Sequence, residues 1–486
     1  MRRIELILLM TVLAMQAVPG NGATQEAADM ILTGGKVWTG NVEAPAAEAI
    51  AVKDNRILAV GSVDEINNLS DSETVVMDLP GHFIMPGFID NHTHFDRAGA
   101  LLLGVNLLDV NSREALVREV KAAAERMPEG AWLRGGDWGA YAQWRKNSTG
   151  EAGDGPAESF DPDRSLIDPV TPENPALLSK WDGSVFLANT LALERAGADC
   201  SWHGVECEKG SMTGRISPEA AERIRAIIPE KSMEQRLAEA RIALKRLRKH
   251  GVTTIHDITG ARQLGVFREL KERDELTVRV YARPTLDKWD ELAAVGIKHG
   301  FGDPMLKIGG LKGFVDGIMG NSSARFYEPY LTTGERGRWR DMMYPPGNMK
   351  KLLVGADSAG HWPQVHAIGD QAIDSLLNLY EYVIDHNAPR ERRFRVIHTQ
   401  VLSGPDAARR MAEMGIIAEV QPYHAIDDMR WMEERIGERS RWAYAFRTLK
   451  DSGVLLSFGS DWPGTNASWY TSDPIMGIYA AVARQT

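Results

Sequence analysis

The stretch MPGFIDNHTHFD at residues 85–96 decides how the rest of the chain is read. A short apolar run ends in Asp90, and two histidines one residue apart, His92 and His94, follow it. Residues two apart in extended chain point to the same side, so both imidazoles can reach one ion. A His-x-His pair is equally what a buried strand shows where it meets water. The other strands have to choose between these readings.

From residue 83 onward, short β-rich runs alternate with longer amphipathic stretches, the pattern of β/α units on a parallel sheet. Strands are expected at 83–90, 251–258, 277–284, 306–316, 363–369, 394–400, 415–421 and 453–461. That set is enough to close a (β/α)8 TIM barrel. Residues 100–250 then form a long insertion between the first and second strands, with strand-like pieces at 131–135 and 176–181. Upstream, residues 29–80 read as short strands joined by turns, with Asp54 and Asn55 marking a hairpin. The expected architecture is α/β, with a hydrolase-type barrel over 81–486 and the N-terminal part of a small β-sandwich domain over 29–80.

Catalytic groups in such barrels come from the carboxyl ends of the strands. The first strand ends in His92 and His94, the fourth carries Lys312, and the fifth ends at His366. The sixth ends at His398 and the eighth at Asp461. Each histidine alone is read as a half-buried ring bonded to a carbonyl. Together on one rim these residues favour a metal site.

Imidazole and carboxylate ligands suit Zn²⁺, with iron or manganese as substitutes, and one or two ions fit this set. Lys312 is the odd member. As an ammonium it would pair with Asp316 or water, but desolvation and nearby cations favour the neutral amine. A neutral amine can take up carbon dioxide to give an anionic carbamate that bridges two ions. Water on such an ion has its pKa lowered to about 7, and Asp461 would shuttle its proton to the leaving group. His366 and His398 would assist at the scissile carbonyl. This chemistry hydrolyses amides, esters or cyclic amides without a protein nucleophile, and the chain has no G-x-S-x-G elbow, Walker loop or dinucleotide fingerprint.

Composition narrows the alternatives. The chain has 486 residues, 43% of them apolar, enough for a large core. Lys plus Arg total 56 against 66 Asp plus Glu, a formal charge of −10 without a basic block, which argues against nucleic acid as a partner. Arg2 and Arg3 precede the apolar run LILLMTVLAMQAV and small residues, so residues 1–23 read as a signal peptide and the mature protein as periplasmic or secreted. No membrane association is expected after its removal. The only cysteines, Cys200 and Cys207, are expected to form a disulfide in an exported chain, a zinc clip with His203 being the competing reading.

The segments MPGFIDNHTH, LKGFVDGIMGNSSA, VHAIGDQAID, VIHTQ, EVQPYH and FGSDWP together resemble the amidohydrolase superfamily, and within it the YtcJ-like branch, amidohydrolase family 3. That branch includes deformylases of N-substituted formamides. The resemblance implies metal ligation by His92, His94, His366, His398 and Asp461, with Lys312 as carbamylated bridge. It also implies Gln421 and His424 near the substrate. Among the aromatic residues Trp138 is taken to line the substrate pocket. Trp132, Tyr141, Trp144 and Trp181 of the insertion and Tyr423, Trp431, Trp442 and Trp462 of the late loops are further candidates, core or lid packing being the competing reading for most. Two departures stand out. WDGSVFLANTLAL carries Ser184 where relatives have histidine, and the chain stops at AAVARQT where relatives continue into strands that complete the sandwich. The expected function is hydrolysis of a C–N bond (amide, N-formyl, N-acyl or cyclic amide) in a small molecule, by a chain that can pair as a homodimer. The competing expectation is a non-catalytic regulatory protein that keeps the fold.

Overall fold

The computed structural model describes residues 26–108, 110, 112–139, 161–464 and 470–485. The expected signal peptide, Tyr141 and Trp144 lie outside the described residues. Among the described residues, no helix is long and apolar enough to cross a membrane. The chain divides into two compact units, one ending at Pro86 and one starting at Gly87.

The first unit holds two small mixed sheets. One consists of β1 (Met30–Thr33), β4 (Ala49–Lys53), β5 (Arg56–Gly61) and β6 (Val75–Asp78), in the order β5-β4-β1-β6. The other consists of β2 (Lys36–Trp38), β3 (Ala46–Ala47) and β7 (Phe83–Ile84). Asp54 and Asn55 both adopt left-handed backbone between β4 and β5, at φ 45° and 62°. That is the two-residue hairpin turn their side chains favour. Ile31, Ala49, Ala51, Ile66 and Leu69 form this unit's core.

The second unit carries the polar strand ends. β8 (Phe88–Thr93) starts later than the 83–90 run suggested, because Phe83–Ile84 pairs with β2 instead. Pro86, which has no N–H to donate, separates the two pieces. The insertion builds a five-stranded sheet, β12-β13-β11-β10-β9, from β9 (Leu133–Trp138), β10 (Ala176–Lys180), β11 (Phe186–Ala188), β12 (Val205–Glu208) and β13 (Ser211–Ile216). Its β12 edge carries the Cys200–Cys207 disulfide.

Two wholly parallel sheets follow. The first has the order β16-β15-β14-β8, with β14 (Val252–Ile258), β15 (Arg279–Arg283) and β16 (Leu306–Ile308). The second runs β17-β18-β19-β20-β21, from β17 (Leu311–Phe314), β18 (Pro363–Ala367), β19 (Arg395–His398), β20 (Ile417–Val420) and β21 (Leu456–Phe458). Parallel bridges at Thr93–Trp462 and Thr285–Lys312 connect them. The strand expected over 306–316 is therefore broken, β16 serving one sheet and β17 the other. Gly309 and Gly310 form the break, where a Cβ would run into the Tyr281 ring or the Gln364 side chain.

The strands β18, β19 and β20 are buried at every residue, as expected for a parallel sheet covered on both faces. On the Asp370–His386 helix, Ile373, Leu376, Leu377, Tyr380 and Val383 recur at helical spacing and are buried. They join Leu353, Val365, Val396 and Met411 in the largest core cluster.

Candidate metal centre

Two chain crossings hold the first histidines against Asp461. The Asp461 amide donates to His92 O at 2.9 Å, and the His94 amide donates to Trp462 O at 2.8 Å. Asp90 clamps the same crossing, accepting from the amides of His92 and Ser460 at 3.1 and 2.9 Å and from Ser460 Oγ at 2.5 Å. Its burial raises the carboxyl to about 6. Asp90 thus joins two strand ends and is not among the groups lining the central cavity.

Asp461 Oδ1 lies 3.4 Å from His92 Nε2 and 3.1 Å from His94 Nε2, and Oδ2 lies 3.6 Å from His424 Nε2. Ligand atoms of His92, His398 and Asp461 all lie within 4.8 Å of one another. His398 and Asp461 both adopt left-handed backbone, φ 75° and 57°, a strained state for residues with a Cβ and one that aims side chains at functional sites.

Hydrogen bonds orient the rings. His366 Nε2 donates to Gly317 O at 2.9 Å, since a carbonyl only accepts, leaving the lone pair on Nδ1. His398 Nδ1 donates to Gln421 Oε1 at 2.8 Å, leaving Nε2 free for a cation. At His92 two neighbours ask for opposite tautomers. Arg283 Nη2, a donor only, sits 3.2 Å from Nδ1, while Glu419 Oε2 sits 3.9 Å from the same nitrogen.

The electrostatics suit cation binding. Burial holds the His92 and His398 imidazoles well below the usual histidine range, with Lys312 beside His92 and His366 beside His398 adding to it. Burial also lowers His424, to about 4. Burial pushes Asp461 up, but the His92, His94 and His398 rings overcome it and hold the carboxylate well below its usual range. Neutral His92, His398 and His424 imidazoles thus stand beside an ionised carboxylate, the protonation state that metal ligands require.

Lys312 is fully buried, and its Nζ has no hydrogen-bond partner. Burial and the Arg283 cation hold its amine well below the usual lysine range. Asp316 is no counter-ion for it, because its carboxylate accepts the amides of Arg325, Ile368 and Gly369 at 2.8 to 3.1 Å. The buried Lys312 Nζ, which has no hydrogen-bond partner, beside the His92 and His398 imidazoles and the Asp461 carboxylate, fits a metal-binding role.

His92, His94, Lys312, His366, His398 and Asp461 all line one cavity of about 430 Å³, together with His424. Two other expected residues do not line it. Gln421 is buried and spends its carbonyl on His398 Nδ1. Trp138 is packed among Leu107, Leu116, Leu133 and Leu187 in the core of the insertion, while Trp181 reaches the cavity instead. The alternation along β9 could not say which side of that sheet faces the cavity.

Sequence reading passed over a buried charge network. Arg283 Nη1 donates to Glu419 Oε2 at 2.9 Å and to Gln364 Oε1 at 3.2 Å, and Arg395 Nη1 donates to Glu419 Oε1 at 2.5 Å. The available signal was a single charge, Glu419, inside the otherwise apolar strand IAEV.

Residues 75–486 match the amidohydrolase family. The chain belongs to that family. Over 94% of its length this amidohydrolase is 32% identical to protein LONG AFTER FAR-RED 3 of Arabidopsis thaliana, covering 78% of that protein. It is 27% identical to YtcJ of Bacillus subtilis (strain 168), over 93% of this chain and 83% of YtcJ. Its fold superposes with a TM-score of 0.71 on the crystal structure of an uncharacterized metal-dependent hydrolase from Pyrococcus furiosus, at 26% identity over 93% of this chain and 88% of that one.

Proposed function

We propose that this amidohydrolase is a metal-dependent hydrolase that cleaves a C–N bond in a small molecule. The observation that carries the reading is the His92–His398–Asp461 cluster, with ligand atoms within 4.8 Å of one another, opening on the cavity. His92, His94, His366, His398 and Asp461 would hold one or two divalent ions, zinc first, with iron or manganese as substitutes. When bound, such an ion polarises the scissile carbonyl and makes water a stronger acid. We read the two parallel sheets as one (β/α)8 barrel, β16 and β17 sharing its fourth strand, and the N-terminal sheets as part of a β-sandwich.

This chain's own groups supply the rest. Asp461 accepts a proton from the attacking water and returns it to the departing nitrogen. The His94 ring, 3.1 Å from Oδ1, and the clamp at Asp90 keep that carboxylate in place. Lys312, a desolvated amine, is suited to carbon dioxide uptake, which would release one proton and give an anionic carbamate able to help hold an ion. Ile258, Phe314, Ile318 and Met319 line the cavity and suit an apolar substrate body. The apolar leader supports export, to the periplasm or beyond it.

The test is metal analysis followed by a screen of N-formyl, N-acyl and cyclic amides with metal-loaded protein. Stoichiometric zinc, iron or manganese with turnover of one class is expected. Purified protein that takes up none of these metals would end the hydrolase reading.

A further inference from the structure

Two guanidinium groups at the mouth of the cavity have no partner among the described residues. Arg338 and Arg340 both line it, and both are exposed. Neither side chain makes a hydrogen bond or ion pair with a described residue. Their backbone is nevertheless held firmly. The Arg340 amide donates to Val315 O at 2.9 Å, the Arg338 amide donates to Ser323 O at 3.1 Å, and Trp339 bridges antiparallel to Asp316. Trp339 packs on the main core, with the Arg325 guanidinium 5.3 Å over its ring. In an extended segment this alternation sends residues 338 and 340 to the side opposite Trp339. The pair is thus carried on a fixed strip beside the continuation of β17, the strand that bears Lys312.

The other charges of the lining are already engaged. Arg97 donates to Gly464 O at 2.7 Å and to Asp137 at 3.1 Å. Asp461 lies among the histidines, Asp182 accepts from Ser184, and Asp428 accepts from Gln400 and Tyr444. Among the described lining residues, the two arginines carry charge that no protein group engages, and an arginine fork matches a carboxylate in shape as well as charge.

We propose that Arg338 and Arg340 form an anion clamp, so that the substrate carries a carboxylate on the part remote from the scissile C–N bond. This deepens the hydrolase reading and rests on it for the orientation of the substrate. The substrate class becomes N-acyl or N-formyl amino acids and related acidic amides.

Calorimetry on the full, metal-loaded chain tests the clamp, with N-formylphenylalanine and its neutral primary amide as probes. The wild type should bind the acid about tenfold more tightly, as charge-assisted hydrogen bonds at an exposed site allow. The variant R338Q/R340Q should bind both alike. Equal affinities in the wild type, or no measurable binding of either probe, overturns the clamp. So does a preference kept by the double variant, which would put the carboxylate at the metal centre. Turnover of the same pair separates the two readings. Preferential binding of the acid without cleavage of either probe removes the hydrolase reading and keeps the clamp. Equal cleavage of acid and amide by both proteins removes the clamp and keeps the hydrolase.

Discussion

Arg283 and Glu419 face each other at 2.9 Å with no solvent exposure on either side chain. The pair ties β15 in one parallel sheet to β20 in the other, and its guanidinium reaches on to His92 Nδ1 at 3.2 Å. Arg395 completes a triad in which two guanidinium groups share one carboxylate. Burial pushes Glu419 up, and the two arginines overcome it and hold the carboxyl well below its usual range.

Glu419→Gln therefore leaves two buried cations uncompensated. A loss of about 3–5 kcal/mol of stability is expected, read by urea unfolding. A loss below about 1 kcal/mol would show that the network relaxes or hydrates without its anion.

His92→Ala and His94→Ala should each lower bound metal below stoichiometry and abolish turnover. Mass spectrometry of the metal content and amide hydrolysis are measured on the same samples. Full metal loading with retained turnover would remove both residues from the ligand set.

Lys312→Ala should lose activity and recover part of it when a short carboxylic acid such as propionate is added. The acid would replace a carbamate but not an amine. Carbon-13 NMR of wild-type protein equilibrated with labelled carbon dioxide should show one carbamate carbon, absent in the variant. Neither rescue nor that resonance would leave Lys312 as a plain buried amine.

Asp257, whose carboxylate accepts from Thr93 and Phe95 on either side of His94, gives a pH signature. Burial raises its carboxyl to about 7, against the amide of Phe95 and the hydroxyl of Thr259, which favour ionisation. An unfolded aspartate titrates near ~3.9. Between about pH 4 and 7 the unfolded chain has released a proton that the folded chain keeps, so folding loses stability as pH rises. Asp257→Asn should match the wild type near pH 4 and gain on it up to pH 7. Thermal unfolding at both ends of that window measures the gap. A gap that does not change with pH would mean that Asp257 is ionised in the fold.

Much of this site was legible along the chain because strand ends carry their chemistry in short local motifs. His92, His94, Lys312, His366, His398 and Asp461 were each read as metal-compatible at or near a strand end, and the structure places all of them on one cavity. The errors have local causes too. Pro86 and the pair Gly309–Gly310 cut apolar runs that continuous hydrophobicity had joined. Trp138, chosen by residue type, packs in the core of the insertion, and Gln421, implied by the EVQPYH motif, bonds His398 Nδ1.

What the sequence determined alone was the alternation of strands and helices and the types of polar residue at the strand ends. Both follow from periodicity and turn chemistry acting over a few residues. Tertiary structure decided which charges meet. Arg283 finds Glu419 across 136 positions of sequence, and Arg338 and Arg340 reach the cavity only because Trp339 is anchored beside Asp316. Such pairings depend on sheet closure and on long segments folding back, and no local pattern encodes them.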